Sequence, residues 1–359
     1  MTQSDRAGSR TLGRATWLRD LLALALILAA TGAWAQEGTE EEKKVLEPGK
    51  WYPSLEGGIQ LTQSSYSDNW SGGDKGSMVW AAIVQGQLEN QLRPWVNSRS
   101  VLKLAFGQTH QQRANASGKR HWEQPDKSSD LIDFETIARF TLGGFVDPFL
   151  GFRLESQFLD ATDPLGREIA FNPVKYKESA GVARQILRTE NRDLLSRFGF
   201  TFRQSSRKYF IEATSDRKRS DTTNDGGLEW TTEYKDKKLT ERISWSSKAT
   251  LYKPVFYSGD DEFDKLSDAV LQGAGLDTDL GDFPKAIDAS WENIFASQLT
   301  KILSVNLYLN LVYDKYDNSV VPLLDENGVL SNGTAVKAAV RKAGQYKQVL
   351  GLGVTYRFL

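Results

Sequence analysis

The sequence contains no cysteine and only two histidines among its 359 residues. The lack of cysteine excludes disulfides, thiol chemistry and a lipid-anchored cysteine, and two histidines alone make a poor transition-metal site. An excess of charge of either sign is also missing, because 45 Lys and Arg stand against 46 Asp and Glu. Composition therefore gives no reason to expect a nucleic-acid partner, a metal or a cofactor.

Long hydrophobic runs are absent after the N-terminus, so no segment has the ~18 apolar residues that a membrane-spanning helix needs. The N-terminus itself resembles an export signal: four arginines precede a short apolar run at 21–30 and the triplet Ala33-Trp34-Ala35. We predict a signal peptide over residues 1–35 with cleavage after Ala35, in preference to a membrane anchor. Residues 36–50 are charged and predict a flexible leader.

Serine, threonine, glycine and aromatic residues are plentiful, which suits strands better than helices. The last fifteen residues show this most clearly, because every second residue from Leu350 to Phe358 is apolar. A period of two gives a strand one apolar face, as in either a soluble sandwich or a membrane barrel. The ending that contains Gly353, Tyr356 and Phe358 resembles the terminal signal by which bacterial outer-membrane barrels are recognised for insertion.

Twelve such segments can be read along the chain. We place them at about 52–66, 77–91, 95–110, 129–142, 149–159, 174–187, 195–204, 227–235, 239–257, 286–299, 303–316 and 346–358. The connections alternate between long ones, such as 258–285, and short ones, such as 143–148. Long loops at one end and short turns at the other are typical of outer-membrane barrels, whose strand number is even. We therefore predict one transmembrane up-and-down β-barrel over residues 51–359, located in the outer membrane, with both termini in the periplasm.

The polar positions of these strands carry many charges of both signs. In a dry core each would cost several kcal/mol unless paired, whereas the lumen of a barrel contains water. We expect these residues to line the lumen: Arg99, Lys103, Asp133, Glu135, Arg139, Arg153, Glu155, Arg197, Arg203, Glu229, Glu233 and Lys248, with Glu89, Arg242 and Asp314. The aromatic residues fit interface girdles on the lipid face: Trp80, Trp95, Phe145, Phe149, Trp230, Trp245, Trp291, Tyr356 and Phe358.

A distinctive segment at 61–77 opens the first hairpin. Its marks are Gln63, Asn69, Trp70, Gly72, Gly73 and Ser77. This pattern resembles an uncharacterised family of bacterial outer-membrane barrels, classified only as a domain of unknown function, and so implies a fold but no activity. The two glycines allow the positive φ that a tight turn requires.

Three functions fit this barrel, and a narrow channel for small solutes is the leading one. The alternatives are a structural or surface-interaction barrel and an outer-membrane lipid hydrolase. The hydrolase would need a nucleophile–base pair, yet Ser98 and Ser100 lie about ten residues from His110, His121 is in the following loop, and no Gly-x-Ser-x-Gly elbow exists. We therefore expect no enzyme, and the expected partners are membrane lipid, lipopolysaccharide, the barrel-assembly machinery and a small solute. The acidic segment 258–285 predicts a solvated loop rather than a calcium site.

Overall fold

The computed structural model describes residues 46–64, 76–114, 120–163, 165–300, 303–341 and 343–357. The expected signal peptide and most of the leader lie outside these residues, as do Asn69, Trp70, Gly72, Gly73 and Phe358. The side chain of Tyr356 is likewise not described. Within this part of the chain, the structure is dominated by strands.

Twelve long strands build the fold. They are β1 (Trp51–Ser64), β2 (Ser77–Arg93), β3 (Val96–Ala114), β4 (Asp126–Phe140), β5 (Asp147–Ser156), β6 (Val174–Arg188), β7 (Arg192–Phe210), β8 (Lys218–Asp236), β9 (Ile243–Tyr257), β10 (Asp288–Gln298), β11 (Leu303–Tyr313) and β12 (Gln345–Arg357). Three short strands, Arg120–Trp122, Leu159–Asp160 and Ile169–Ala170, lie in the connections.

Each long strand pairs antiparallel with the next, and β12 pairs with β1. The sheet is therefore a closed twelve-stranded barrel, which confirms the predicted fold class. The connections β2–β3, β4–β5, β6–β7, β8–β9 and β10–β11 are short and share one end, called here the turn end. The longer connections share the opposite end, called here the loop end.

Two predicted boundaries are wrong, and in the first polar sequence hides strand pairing. The segment 205–226 was expected to be a loop, but β7 and β8 continue pairing as far as Phe210 and Lys218 and leave only 211–217 as the connection. Beyond Phe202 the hairpin carries polar residues on both faces, so its hydrophobic alternation stops while its backbone ladder continues. Conversely, β9 begins at Ile243 rather than at 239, so Arg242 lies in a turn.

The outer face of the barrel is apolar and exposed. Ile59, Leu61, Leu150 and Phe198 each expose more than half of their side-chain surface. Their neighbours in sequence point inward, as the two-residue period requires. A continuous exposed apolar surface of this kind is stable in contact with lipid chains and unfavourable in contact with water.

Aromatic side chains gather near the two edges of this apolar surface. Towards the loop end Phe202 stacks on Phe256, with ring centroids 6.0 Å apart. Towards the turn end Trp245 stacks on Phe295 at 5.7 Å and Trp95 on Phe140 at 6.2 Å. The assignment of Phe149 to the lipid face is wrong.

Phe149 points into the barrel, where it packs with Ile137, Ala183 and Leu195. Its position follows from the register of β5, because Phe149 shares its face with the inward Arg153 and Glu155. This apolar cluster closes part of the lumen near the turn end.

The two longest loops fold together into a cap at the loop end. The β9–β10 loop contains α1 (Asp260–Asp264), α2 (Asp268–Gly273) and a 3-10 helix (Leu280–Lys285), and the β11–β12 loop contains α3 (Gly333–Ala339). Among the described residues, no helix is both long enough and apolar enough to span a membrane.

The cap has a hydrophobic core of its own, which the expectation of a solvated acidic loop did not include. Phe263, Leu271, Leu280 and Phe283 from the first loop are buried against residues of the second, including Tyr316. The rings of Phe263 and Tyr316 lie 5.3 Å apart. Many of the acidic residues between these apolar positions lie on the exposed faces of short helices. The charge count alone did not reveal this helical periodicity.

Candidate functional site: the barrel lumen

Ion pairs cross the lumen between distant strands. Arg99 on β3 lies 2.5 Å from Glu233 on β8, although the two strands are five apart around the wall. Lys235 on β8 donates to the amide oxygen of Gln87 on β2, six strands away, at 3.0 Å. Twelve strands enclose more space than the eight that side chains fill, so only long side chains from facing walls can meet in this way.

A central network joins Glu233 and Glu135 through shared cations. Arg197 donates to Glu233 at 2.6 Å and to Glu135 at 3.1 Å. Lys248 donates to Glu135 at 2.9 Å and lies 3.8 Å from Glu233. Each carboxylate meets at least two cations, and with Arg99 on Glu233 the network holds β3, β4, β7, β8 and β9 against one another.

The remaining lumen-lining candidates also form ion pairs. Arg153 binds Asp133 at 2.7 Å and Glu155 at 3.1 Å. Arg203 binds Asp225 at 2.7 Å, and Lys103 binds Glu292 at 3.1 Å. The other pairs are Glu229 with Lys177 and Arg139 with Asp147, the latter at 3.7 Å. The structure thus places all twelve candidates in ion pairs on the inner wall.

Sequence reasoning missed several of the partners. Lys177, Arg188, Asp288 and Glu292 all take part, Arg188 by binding Glu89 at 2.5 Å. The alternation of β10 places Glu292 on the inner face, next to the outward Trp291. This alternation could have identified Glu292 as a lumen residue. Asp314, which was expected in the lumen, lies beyond the end of β11 and pairs with Arg341 in the second loop of the cap.

Among the described residues, most of the side chains in these ion pairs lie on one side of the lumen, the side formed by β3 to β9. On the other side lies a cavity of about 1270 Å³, lined mainly by inward residues of β10 to β12 and β1 to β3. Uncharged residues outnumber charged ones such as Glu56 and Lys347 on this wall, which is called here the uncharged side. Many of them are small or short: Gly58, Ala81, Ile83, Ile294, Ala296, Ser304, Val349 and Gly351. Side chains this short cannot reach across a twelve-stranded barrel, and the space beside them stays open.

The cavity runs most of the length of the strands. Along β1 it extends from Tyr52 near the turn end to Thr62 near the loop end. Ten residues of a tilted strand cover about 25 Å along the barrel axis, which matches the apolar height of a typical membrane barrel. At the turn end the cavity reaches the short connections, at Arg192 and Lys237.

The cap makes contact with the filled side of the barrel. Burial raises the pKa of Asp317, which follows β11, but nearby Lys175 on β6, the Ser319 hydroxyl and Arg341 more than offset this effect and hold its pKa below the ordinary value. Tyr257 at the end of β9 donates to the Asn318 carbonyl at 2.8 Å. The second loop is therefore hydrogen-bonded to β9, and Lys175 on β6 is near enough to act on its Asp317 electrostatically.

The residues considered for hydrolysis are not brought together. Ser98 and His110 lie twelve positions apart on the same strand, β3, which corresponds to about 40 Å. Ser100 is hydrogen-bonded to Thr136 on the neighbouring strand at 2.9 Å. His121 lies in the short strand Arg120–Trp122 and pairs in register with Arg113.

No protein-family model and no curated protein sequence matches the chain. The likeness of segment 61–77 to a family of unknown function therefore stays a prediction. Among solved structures, the chain is similar to an outer membrane channel from Pseudomonas putida F1, with 11% identity over 90% of this chain and 100% of that chain and a TM-score of 0.35.

It is also similar to the translocator domain of the autotransporter NalP from Neisseria meningitidis, with 11% identity over 96% of this chain and 98% of that chain and a TM-score of 0.31. The beta domain of the Bordetella autotransporter BrkA gives 9% identity over 85% of this chain and 97% of that chain, with a TM-score of 0.28. These likenesses are too distant to indicate a function. The chain itself folds as a closed twelve-stranded barrel of the outer-membrane type.

Proposed function

We propose that this protein is an outer-membrane channel that conducts small solutes along the uncharged side of its lumen. The observation that carries the proposal is the cavity of about 1270 Å³, which is larger than the roughly 300–1,000 Å³ of a typical small-molecule pocket. Its height of about 25 Å matches the apolar height of a typical membrane barrel. A cavity of this length and position supports a pathway rather than a closed binding pocket.

The lining of the cavity favours small polar solutes. Amide and hydroxyl side chains project from both of its walls, among them Gln60 and Gln85 on β1 and β2 and Asn306 and Tyr308 on β11. Such groups exchange hydrogen bonds with water and with uncharged polar solutes at little cost. The ion pairs on the other side of the lumen would limit the width of the pathway, which accounts for a channel narrower than a porin.

Filling the uncharged side should abolish conduction. Ala81→Trp combined with Ala296→Trp places two indoles in the cavity from strands four apart around the wall, and we expect the conductance in planar bilayers to fall at least tenfold. The matched control is Ala82→Trp, which adds the same bulk to the lipid face of β2 and should leave the conductance unchanged. Equal conductance of the cavity-filling variant and the control would contradict the proposed pathway.

The structural barrel is the second candidate, and the ion-pair network favours it. If the lumen serves only to brace the wall, wild type and cavity-filling variant would both be impermeable. In contrast, the Ser–His arrangement that a lipid hydrolase needs receives no support from the positions of Ser98 and His110 on β3.

The orientation of the barrel gives a separate prediction. We expect the loop end to face the cell exterior and the turn end the periplasm, since long loops are extracellular in outer-membrane barrels. An epitope tag inserted at Ala274 in the cap should be labelled on intact Gram-negative cells, whereas a tag at Gly144 should be labelled only after the outer membrane is opened. The reverse pattern, or recovery of the protein in the soluble periplasmic fraction, would contradict the proposed topology and localisation.

A further inference from the structure

The seam between β1 and β12 is open over part of its length. Among the described residues, pairing covers Glu56–Gln60 against Gly353–Arg357 and then stops. The same register would continue with Leu61 opposite Leu352 and Gln63 opposite Leu350, but these residues do not pair. On their other sides both strands are fully paired, β1 with β2 as far as Ser64 and β12 with β11 from Gln345.

Gln60 and Gly351 mark the point where the pairing ends. A Cβ atom at Gly351 would come within 2.4 Å of the side chain of Gln60, so the glutamine lies over the glycine backbone on the inner face. An amide group thus forms the polar lower edge of the opening. Any larger residue at position 351 would push it away, and the opening depends on this glycine.

The opening has apolar rims on the lipid face and leads into the cavity. Leu61 exposes 54%, Leu350 65% and Leu352 52% of its surface. Leu350 belongs to the outward face of β12, yet it lines the cavity together with Thr62, Val349 and Lys347 from the inner face. The unpaired stretch of the seam therefore borders the cavity.

The chemistry changes across the opening from apolar to polar. Outside lie leucine side chains, and inside lie the Gln60 amide and the Lys347 ammonium, whose nitrogen is 6.0 Å from the centre of the Tyr308 ring. Beyond them the inner wall presents Val79 and Ile83. A molecule with an anionic head and a single apolar tail matches this order of groups.

We propose that the gap between β1 and β12 at the loop end is a lateral portal, through which a single-chain amphiphile with a carboxylate head passes between the membrane and the cavity. The head binds near Lys347 and Gln60, and the tail leaves between Leu61 and the leucines of β12. The portal shares its cavity with the proposed channel but does not depend on the conduction of ions through it.

The absence of native cysteine permits a direct test by crosslinking. Gln63→Cys with Leu350→Cys places two thiols across the gap, and oxidation locks it. The matched control, Ile59→Cys with Val354→Cys, joins two residues that are already paired in register. A second closed form, Thr62→Phe with Val349→Phe, fills the gap without a crosslink and covers the case in which the two strands lie too far apart for a disulfide.

Each variant is reconstituted in vesicles that contain a photoreactive long-chain fatty acid, and the labelled residues are mapped by mass spectrometry. We expect the wild type and the oxidised control to be labelled on the inward residues Val79 and Ile83. In both closed forms this labelling should fall at least tenfold, while labelling of the outward Leu228 stays constant. Absence of inward labelling in the wild type, or equal labelling in the closed forms, would overturn the portal.

Conductance measured on the same samples separates the portal from the channel. A wild type that is labelled inside but does not conduct would refute the proposed channel and leave the portal standing. A wild type that conducts without inward labelling would refute the portal alone.

Discussion

Removing the central ion-pair network should raise the conductance of the barrel several-fold. The variant replaces Glu135, Arg197, Glu233 and Lys248 together by Ala, which leaves the net charge unchanged. These side chains occupy the filled side of the lumen and bridge strands up to five apart. Without them the pathway should widen towards the full width of a twelve-stranded barrel.

The control for this variant removes an ion pair outside the lumen. Arg167 and Asp216 are bound at 2.8 Å in two loops at the loop end, and their joint replacement by Ala should not alter single-channel conductance. Both variants are compared with the wild type in planar bilayers at the same salt concentration, because weak ion pairs are screened by salt. If the variant with four Ala substitutions conducts no better than the control, the network does not limit the pathway.

Removing one carboxylate alone should instead cause a large loss of stability. Glu233→Ala removes the carboxylate that Arg99 binds and leaves Arg197 with Glu135 alone, in a buried site where Glu233 is only 8% exposed. Breaking a buried ion pair from one side typically costs about 3–5 kcal/mol. We expect a loss of this order in the free energy of unfolding, measured by urea titration of the protein in lipid vesicles.

Glu155→Ala provides the matched comparison. The Glu155 side chain is 39% exposed, and its partner Arg153 retains Asp133. We therefore expect a change of at most about 1 kcal/mol, as for an exposed ion pair. Equal losses in the two variants would show that burial of the network contributes nothing to its stability.

The wall of the barrel could be predicted from sequence because it depends on local rules. The two-residue period fixes which side chains face lipid, and the alternation of long and short connections fixes the up-and-down topology. These rules placed Arg197 and Glu135 on the inner face without knowledge of any contact. They failed for the β7–β8 hairpin, where the polar sequence hides a backbone ladder that continues to Phe210.

The contents of the lumen could not be predicted in the same way. Which residue meets Arg99 depends on the stagger of all twelve strands, a property of the closed barrel that no single strand carries. The same holds for the seam, where the pairing of β12 with β1 ends before it reaches Leu61 and Leu352. The cap could not be predicted because Phe263 and Tyr316 are 53 positions apart in sequence and share one core only after the barrel has closed.

Thiol labelling during conductance recording tests most directly whether solutes pass along the uncharged side of the lumen. Single cysteines are introduced into the cysteine-free chain at Ile294, which lines the cavity, and at Ser179, on the inner face of β6. A charged thiol reagent is then added to the conducting protein. We predict that the reagent lowers the conductance of Ile294→Cys and leaves that of Ser179→Cys unchanged. A reduction at Ser179 alone, or no conductance in the wild type and in either variant, would contradict the account.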